Sequence, residues 1–160
     1  MLFTNLVIFL LVSSIVATEN SGCQWVHSVK IGRNCYTFFN MKYNFAEAWG
    51  LCKSLYLSGS LPVHLNYISL ARLSSYMHGI NRNTTSWVGL IRQGLTTWTW
   101  TDNTTASVSD LWDDNQPDNW NRSENCAHLR HNWKLNDVSC LQEMSFFCQE
   151  PQMPRSYRPV

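Results

Sequence analysis

Six cysteines, Cys23, Cys35, Cys52, Cys126, Cys140 and Cys148, constrain what this 160-residue chain can fold into more than any other feature. All six lie beyond an apolar start. The first 17 residues, MLFTNLVIFLLVSSIVA, read as a secretory signal peptide, with an apolar stretch from Leu6 to Val12, small polar residues after it, and a cut after Ala17. The run is too short for a membrane anchor, and Ser13 and Ser14 interrupt it. No other apolar run is long enough to span a bilayer. In a secreted, extracellular chain an even cysteine count reads as three disulfides, although spacing alone does not choose among the pairings. Zinc fits poorly: there is no CxxC, and His128 and His131 lack a second ligand pair at finger-like spacing. Both histidines read as ordinary surface or core residues.

The mature chain is long enough for one domain, expected over residues 18–150 with a cysteine core at 23–148. The tail from Pro151 to Val160, with three prolines, is predicted to be disordered. Twelve basic residues against 11 acidic, with no long basic run, argue against nucleic acid as a partner. Eight tryptophans and only 14% charged residues describe a chain that buries large rings under a weakly charged surface.

Gln24 to Phe39 alternates as a hairpin does, with Gly32 at its turn. A helix follows, capped by Asn44 with Glu47 at the capping-box position, its apolar face formed by Phe45, Ala48, Trp49, Cys52, Leu55 and Tyr56. A second helix is predicted from Tyr67 to Met77, capped by Asn66, with Leu70, Leu73 and Met77 on one face and Gly79 to end it. Short aromatic strands are expected at Ser86 to Leu90 and Thr97 to Thr101, and further strands at Cys126 to Arg130 and Ser145 to Gln149. Between them, Asp102 to Asn125 is rich in Asn, Asp, Pro and Ser and has no regular period. Trp112 and Trp120 punctuate it, which marks a functional loop rather than a linker. The class is α+β, with two helices on short antiparallel sheets and one elaborate loop.

That loop carries the chemistry. It contains Gln116-Pro117-Asp118-Asn119-Trp120, then Glu124 beside Cys126, and Asn136-Asp137 follows shortly before Cys140. Calcium takes six to eight oxygen ligands in flexible geometry. The side chains of Gln116, Asp118, Glu124, Asn136 and Asp137 offer five, three of them carboxylates that balance the charge of the ion. Loops of this composition are commonly plain solvated turns, so the residue types alone leave both readings open.

Several motifs in order narrow the choice. Trp87-Val88-Gly89-Leu90, Trp98-Thr99-Trp100 followed by Thr101-Asp102, Gln116-Pro117-Asp118, and Leu135-Asn136-Asp137 span most of the mature chain. Together with the cysteines they resemble a C-type lectin-like domain of the six-cysteine form. Leu135 departs from the pattern, which has Trp there, at a packing position. The resemblance implies pairing of Cys23 with Cys35, Cys52 with Cys148, and Cys126 with Cys140, and a cis peptide before Pro117. It also implies a Ca2+ ion held by Gln116, Asp118, Glu124, Asn136 and Asp137, whose shell two neighbouring sugar hydroxyls complete. An amide donates where a carboxylate only accepts. Gln116 before Asp118 is the donor order that resembles galactose-type sites, and Trp120 stands where such members stack an aromatic ring on the sugar. The glycine-rich insertion that often follows that ring is absent here, which implies a galactose preference rather than strict exclusion of mannose.

The implied partners are glycans ending in galactose or N-acetylgalactosamine, and the alternative is a protein-binding or mineral-associated module without sugar recognition. One ion is expected, because Ile91 to Thr96 has no carboxylate, Asn125 stands where an auxiliary site has Asp, and Arg92 repels a cation. Catalysis is not expected: no nucleophile motif is present, and the obvious carboxylates are committed to the ion. With every cysteine used internally, a homo-oligomer would have to be non-covalent. Asn83, Asn103 and Asn121 head glycosylation sequons, the last directly after Trp120.

Overall fold

The computed structural model describes Cys23 and residues 28–150; the expected signal peptide and C-terminal tail lie outside the described residues. Strands β1 (Ser28–Ile31) and β2 (Asn34–Tyr43) form the first hairpin. The turn between them contains Gly32 at φ 61°, a left-handed conformation that glycine adopts without steric cost. Helix α1 (Phe45–Leu55) then starts where the sequence predicts. The Asn44 side chain accepts from the Glu47 N–H, and the Glu47 carboxylate accepts from the Asn44 N–H, so two unpaired donors of the first turn are satisfied reciprocally. Phe45, Ala48 and Cys52 are its buried face, with Trp49 and Leu55 packed beside them.

Helix α2 (Tyr67–Ile80) starts from a reciprocal cap of Asn66 with Ser69. It buries Leu70, Leu73 and Met77 as predicted, but it does not end at Gly79. The last turn continues to Ile80 and closes through the Asn81 N–H on the Met77 carbonyl at 2.8 Å.

Five further strands complete the sheet: β3 (Ser86–Gln93), β4 (Thr97–Trp100), β5 (Cys126–Leu129), β6 (Leu135–Val138) and β7 (Met144–Gln149). They join β1 and β2 in one seven-stranded sheet of order β1-β2-β7-β3-β5-β6, with β4 on β3. The helix content and α+β class are as expected. The strands are continuous rather than split into separate antiparallel sheets, because β3 and β7 pair in parallel and bridge the two ends. Strand β6 is not predicted from the sequence. It pairs with β5 so that Asn136 faces His128 and Asp137 faces Ala127.

Two apolar clusters flank the sheet. One gathers α2 with Trp98, Trp112, Leu129 and Leu135, and the other gathers α1 with Trp87 and Phe146. Trp87 meets Phe45 edge-on at 5.4 Å, and its Nε1–H donates to the Tyr43 carbonyl at 2.8 Å. Gly89 follows because there is no room for a side chain: a Cβ there would sit 2.6 Å from Thr101 Oγ1 and 2.9 Å from Val63 Cγ1. The close approach lets the Thr101 N–H reach the Gly89 carbonyl at 2.8 Å and ties the start of the long loop to β3.

The three disulfides are Cys23–Cys35, Cys52–Cys148 and Cys126–Cys140, as the resemblance implied. The second staples α1 to β7. The third ties β5 to the chain just beyond β6. Bridges of this kind contribute roughly 2–4 kcal/mol each.

His128 is buried in β5, and burial, helped by the positive charge of Arg130, lowers its pKa to about 4. The unfolded chain therefore binds a proton near pH 6.5 that the folded protein refuses until about pH 4. Stability is full above the unfolded value and declines as pH falls through that window, then levels off below it. The expected loss is on the order of 3 kcal/mol. Urea titrations from pH 7 to 4 check this: His128→Gln should lose less stability over the window than the wild type, and parallel curves would contradict it.

Candidate functional site

Residues 102–125 form no named strand, and they are held by a few buried anchors. Val108 and Trp112 are buried, Trp112 against Trp98 with ring centroids 4.8 Å apart. Asp113 follows, taking Arg130 Nη1 at 2.8 Å and the Asn132 amide at 3.0 Å, while its N–H donates to the Leu135 carbonyl at 2.8 Å. Burial works to raise the Asp113 pKa, but the Asn132 hydrogen bonds and the Arg130 charge outweigh it and hold the carboxyl below its ordinary value. The asparagine content also has a structural reason. Asn103, Asn115, Asn119 and Asn121 all have positive φ, where Asn is better tolerated than most residues. Gln116-Pro117 is a cis peptide.

Beyond it the loop folds onto β6. Carboxylate oxygens of Asp118, Glu124 and Asp137 lie within 4.8 Å of one another. Asp118 is exposed, Glu124 half-buried and Asp137 fully buried. The Asp118 N–H donates to Asp137 Oδ1 at 3.2 Å and the Asn119 N–H to Asp137 Oδ2 at 2.8 Å. The Trp120 N–H is shared between Asp118 Oδ1 at 3.1 Å and Glu124 Oε2 at 3.0 Å. The Asn119 side chain closes the turn, its Oδ1 accepting from the Glu124 N–H at 3.2 Å.

The other two members of the expected ligand set are hydrogen-bonded to the backbone of this cluster. Gln116 Oε1 accepts from the Asp118 N–H at 3.3 Å. Asn136 neighbours Asp137 on β6, and its amide donates to the Asp137 carbonyl. The Trp120 ring projects to solvent at 67% exposure rather than serving as a buried anchor. Asn83, Asn103 and Asn121 are all exposed.

Three carboxylates this close repel one another. Burial, and then the charges of Asp137 and Asp118, push the Glu124 pKa above its ordinary value against the opposing Trp120 hydrogen bond. A cation removes that penalty, and an all-oxygen cluster of carboxylates with flanking amides suits a hard divalent ion better than a soft one.

Arg92 has a role that the sequence did not reveal. Its guanidinium reaches the Asp137 carboxylate, and the pair is almost wholly buried. Asn119, which braces the loop twice, is also absent from the expected site. A single arginine inside the otherwise uncharged strand β3 was the one available signal for the first. Nothing in the sequence distinguished Asn119 from the surrounding asparagines.

Known proteins resemble this chain in sequence and in fold. The chain is 30% identical over 127 residues to the alpha-N-acetylgalactosamine-specific lectin of Patiria pectinifera, covering 72% of this chain and 73% of that protein. It is 29% identical over 126 residues to perlucin of Haliotis laevigata, covering 76% and 79%. Among solved structures, the C-type lectin CEL-I of Cucumaria echinata superposes with a TM-score of 0.72 at 25% identity, over 81% of this chain and 98% of that one. The Lectin C-type domain pattern matches residues 41–150, which hold both helices, β3 to β7 and the whole carboxylate cluster, and the chain therefore belongs to the C-type lectin domain family.

Proposed function

We propose that this protein is a secreted, calcium-dependent lectin that binds terminal galactose or N-acetylgalactosamine through one calcium site. The observation that carries the reading is the convergence of Asp118, Glu124 and Asp137 next to an exposed Trp120. The family is one of binding proteins rather than enzymes. C-type lectin domains generally bind Ca2+, and the similar lectin of Patiria pectinifera is named for alpha-N-acetylgalactosamine specificity. Three disulfides suit export through an oxidising compartment. Among the described residues no helix is long and apolar enough to cross a membrane.

Asp118, Glu124 and Asp137 would hold the ion, with side-chain oxygens of Gln116 and Asn136 completing the protein's share. The ion, when bound, would supply a positive centre to which two vicinal sugar hydroxyls could coordinate. The protein's own groups set which hydroxyls fit. Gln116 donates from its amide NH2 to a hydroxyl oxygen, and Asp118 accepts from a hydroxyl proton. Trp120 offers a large apolar face to the underside of the sugar, and aromatic contacts of this kind contribute on the order of 1 kcal/mol. The three carboxylates also explain why the loop is built as it is. Each of Asp118, Glu124 and Asp137 accepts at least one backbone N–H, so their oxygens are aimed before the ion arrives. A glycan on Asn121, one residue from Trp120, would crowd the stacking face.

Immobilised galactose should retain the protein in calcium and release it in EDTA, and calorimetry should find one ion per chain. Retention undiminished by excess EDTA, or two tight sites, would overturn the reading. The donor order has its own test. Gln116→Glu combined with Asp118→Asn should move the galactose-to-mannose preference toward mannose by about ten-fold, the expected effect of exchanging one well-placed donor and acceptor. Competition assays reading an unchanged ratio would refute the role given to Gln116 and Asp118.

A further inference from the structure

Arg92 sits at the end of β3 with its side chain only 5% exposed, and its donors are divided among three segments. Nε donates to the Glu124 carbonyl at 2.9 Å, Nη1 to the Leu95 carbonyl at 3.0 Å, and Nη2 to the Asp137 carboxylate. The guanidinium carbon lies 4.5 Å from the centre of the Trp98 ring, whose plane fixes the fork from one side. The Arg92 N–H donates to the Asn125 carbonyl at 2.9 Å, so backbone and side chain grip the same turn.

The carboxylate that Arg92 reaches is the hub of the loop. Asp137 is fully buried, and its other hydrogen bonds come from the Asp118 and Asn119 N–H groups. A buried carboxylate that charged partners do not compensate would cost several kcal/mol. Arginine is permanently charged, and its planar fork can hold several acceptors at fixed angles, which a lysine ammonium cannot reproduce. Thus one side chain joins the segments that carry Asp118, Glu124 and Asp137. The three carboxylates and this guanidinium carry a formal charge of minus two, equal and opposite to that of a divalent ion.

We infer that Arg92 is a positioning residue for the carboxylate site: a resident cation that holds the Asp118–Glu124 loop against β6 in the absence of metal, so that calcium meets an assembled cradle. The inference rests on the calcium reading for its benefit to binding, but the clamp itself acts without any ion. Arg92 touches the cluster through Asp137 and the Glu124 backbone.

The test compares full-length wild type, Arg92→Gln and Arg92→Lys in EDTA by amide hydrogen exchange, then titrates each with calcium. In EDTA the Asp118 and Asn119 amides of the wild type should be protected. Arg92→Gln should speed their exchange by about ten-fold or more while amides of β2 and β7 stay unchanged, and Arg92→Lys should fall between. Calcium affinity should drop about ten-fold in Arg92→Gln, as is usual when a group that orients metal ligands is lost. If Arg92→Gln does not fold, Arg92→Lys carries the test alone, through the same selective exchange at residues 118 and 119. Wild-type protection of these amides in the folded variants would overturn the inference, and so would uniform loss across the sheet. Selective loss in a protein that binds no calcium at all would sustain the clamp and sink the calcium reading instead.

Discussion

The fully buried carboxylate of Asp137 is the interaction on which the site depends. It lies on β6, where a charged group has no water to lean on, and it must be answered by donors from elsewhere. Three donors come from two elements: the guanidinium of Arg92 on β3 and the backbone N–H groups of Asp118 and Asn119 in the loop. A loop with no strand and few apolar anchors thereby acquires a defined conformation. Its remaining carboxylates, Asp118 and Glu124, are then aimed by the shared Trp120 N–H. Mutual repulsion among the three is a residual tension that a divalent cation, as proposed, would relieve.

The rest of the fold supplies the platform. Parallel pairing of β3 with β7 joins the hairpin end of the sheet to the loop end, and Cys52–Cys148 fixes α1 to the same β7 strand. Cys126–Cys140 closes the short excursion that contains β6 and so sets Asn136 and Asp137 opposite β5. Gly89 lets the start of the loop lie directly against β3, and Trp98 and Trp112 fill the space beneath it.

Much of this was legible in the sequence, for local reasons. Asn44 with Glu47, and Asn66 ahead of Leu70 and Leu73, announce the helix starts because caps and amphipathic period depend on neighbours along the chain. The aromatic strands of β3 and β4 were readable from composition, and the carboxylate and amide residues of the candidate site from their density in the long loop and in the Asn136-Asp137 pair ahead of Cys140. The disulfide pairing came only through the family resemblance, since spacing does not select it. What escaped is long-range. Strand β6 is four residues of mixed polarity that become a strand by pairing with β5. The continuation of α2 past Gly79 reflects the Asn81 closure outweighing the weak helix preference of glycine. Arg92, expected only to repel a cation, pairs with a carboxylate 45 residues away, and no local pattern encodes that partner.

A crystal structure of the protein grown with calcium and galactose tests the central claim most directly. The account predicts a single ion with oxygens of Asp118, Glu124 and Asp137 at the ordinary calcium distance of about 2.3–2.6 Å, two galactose hydroxyls in the same shell, and the Trp120 ring against the sugar. Galactose bound elsewhere, or a site where these carboxylates contact neither ion nor sugar, would contradict it.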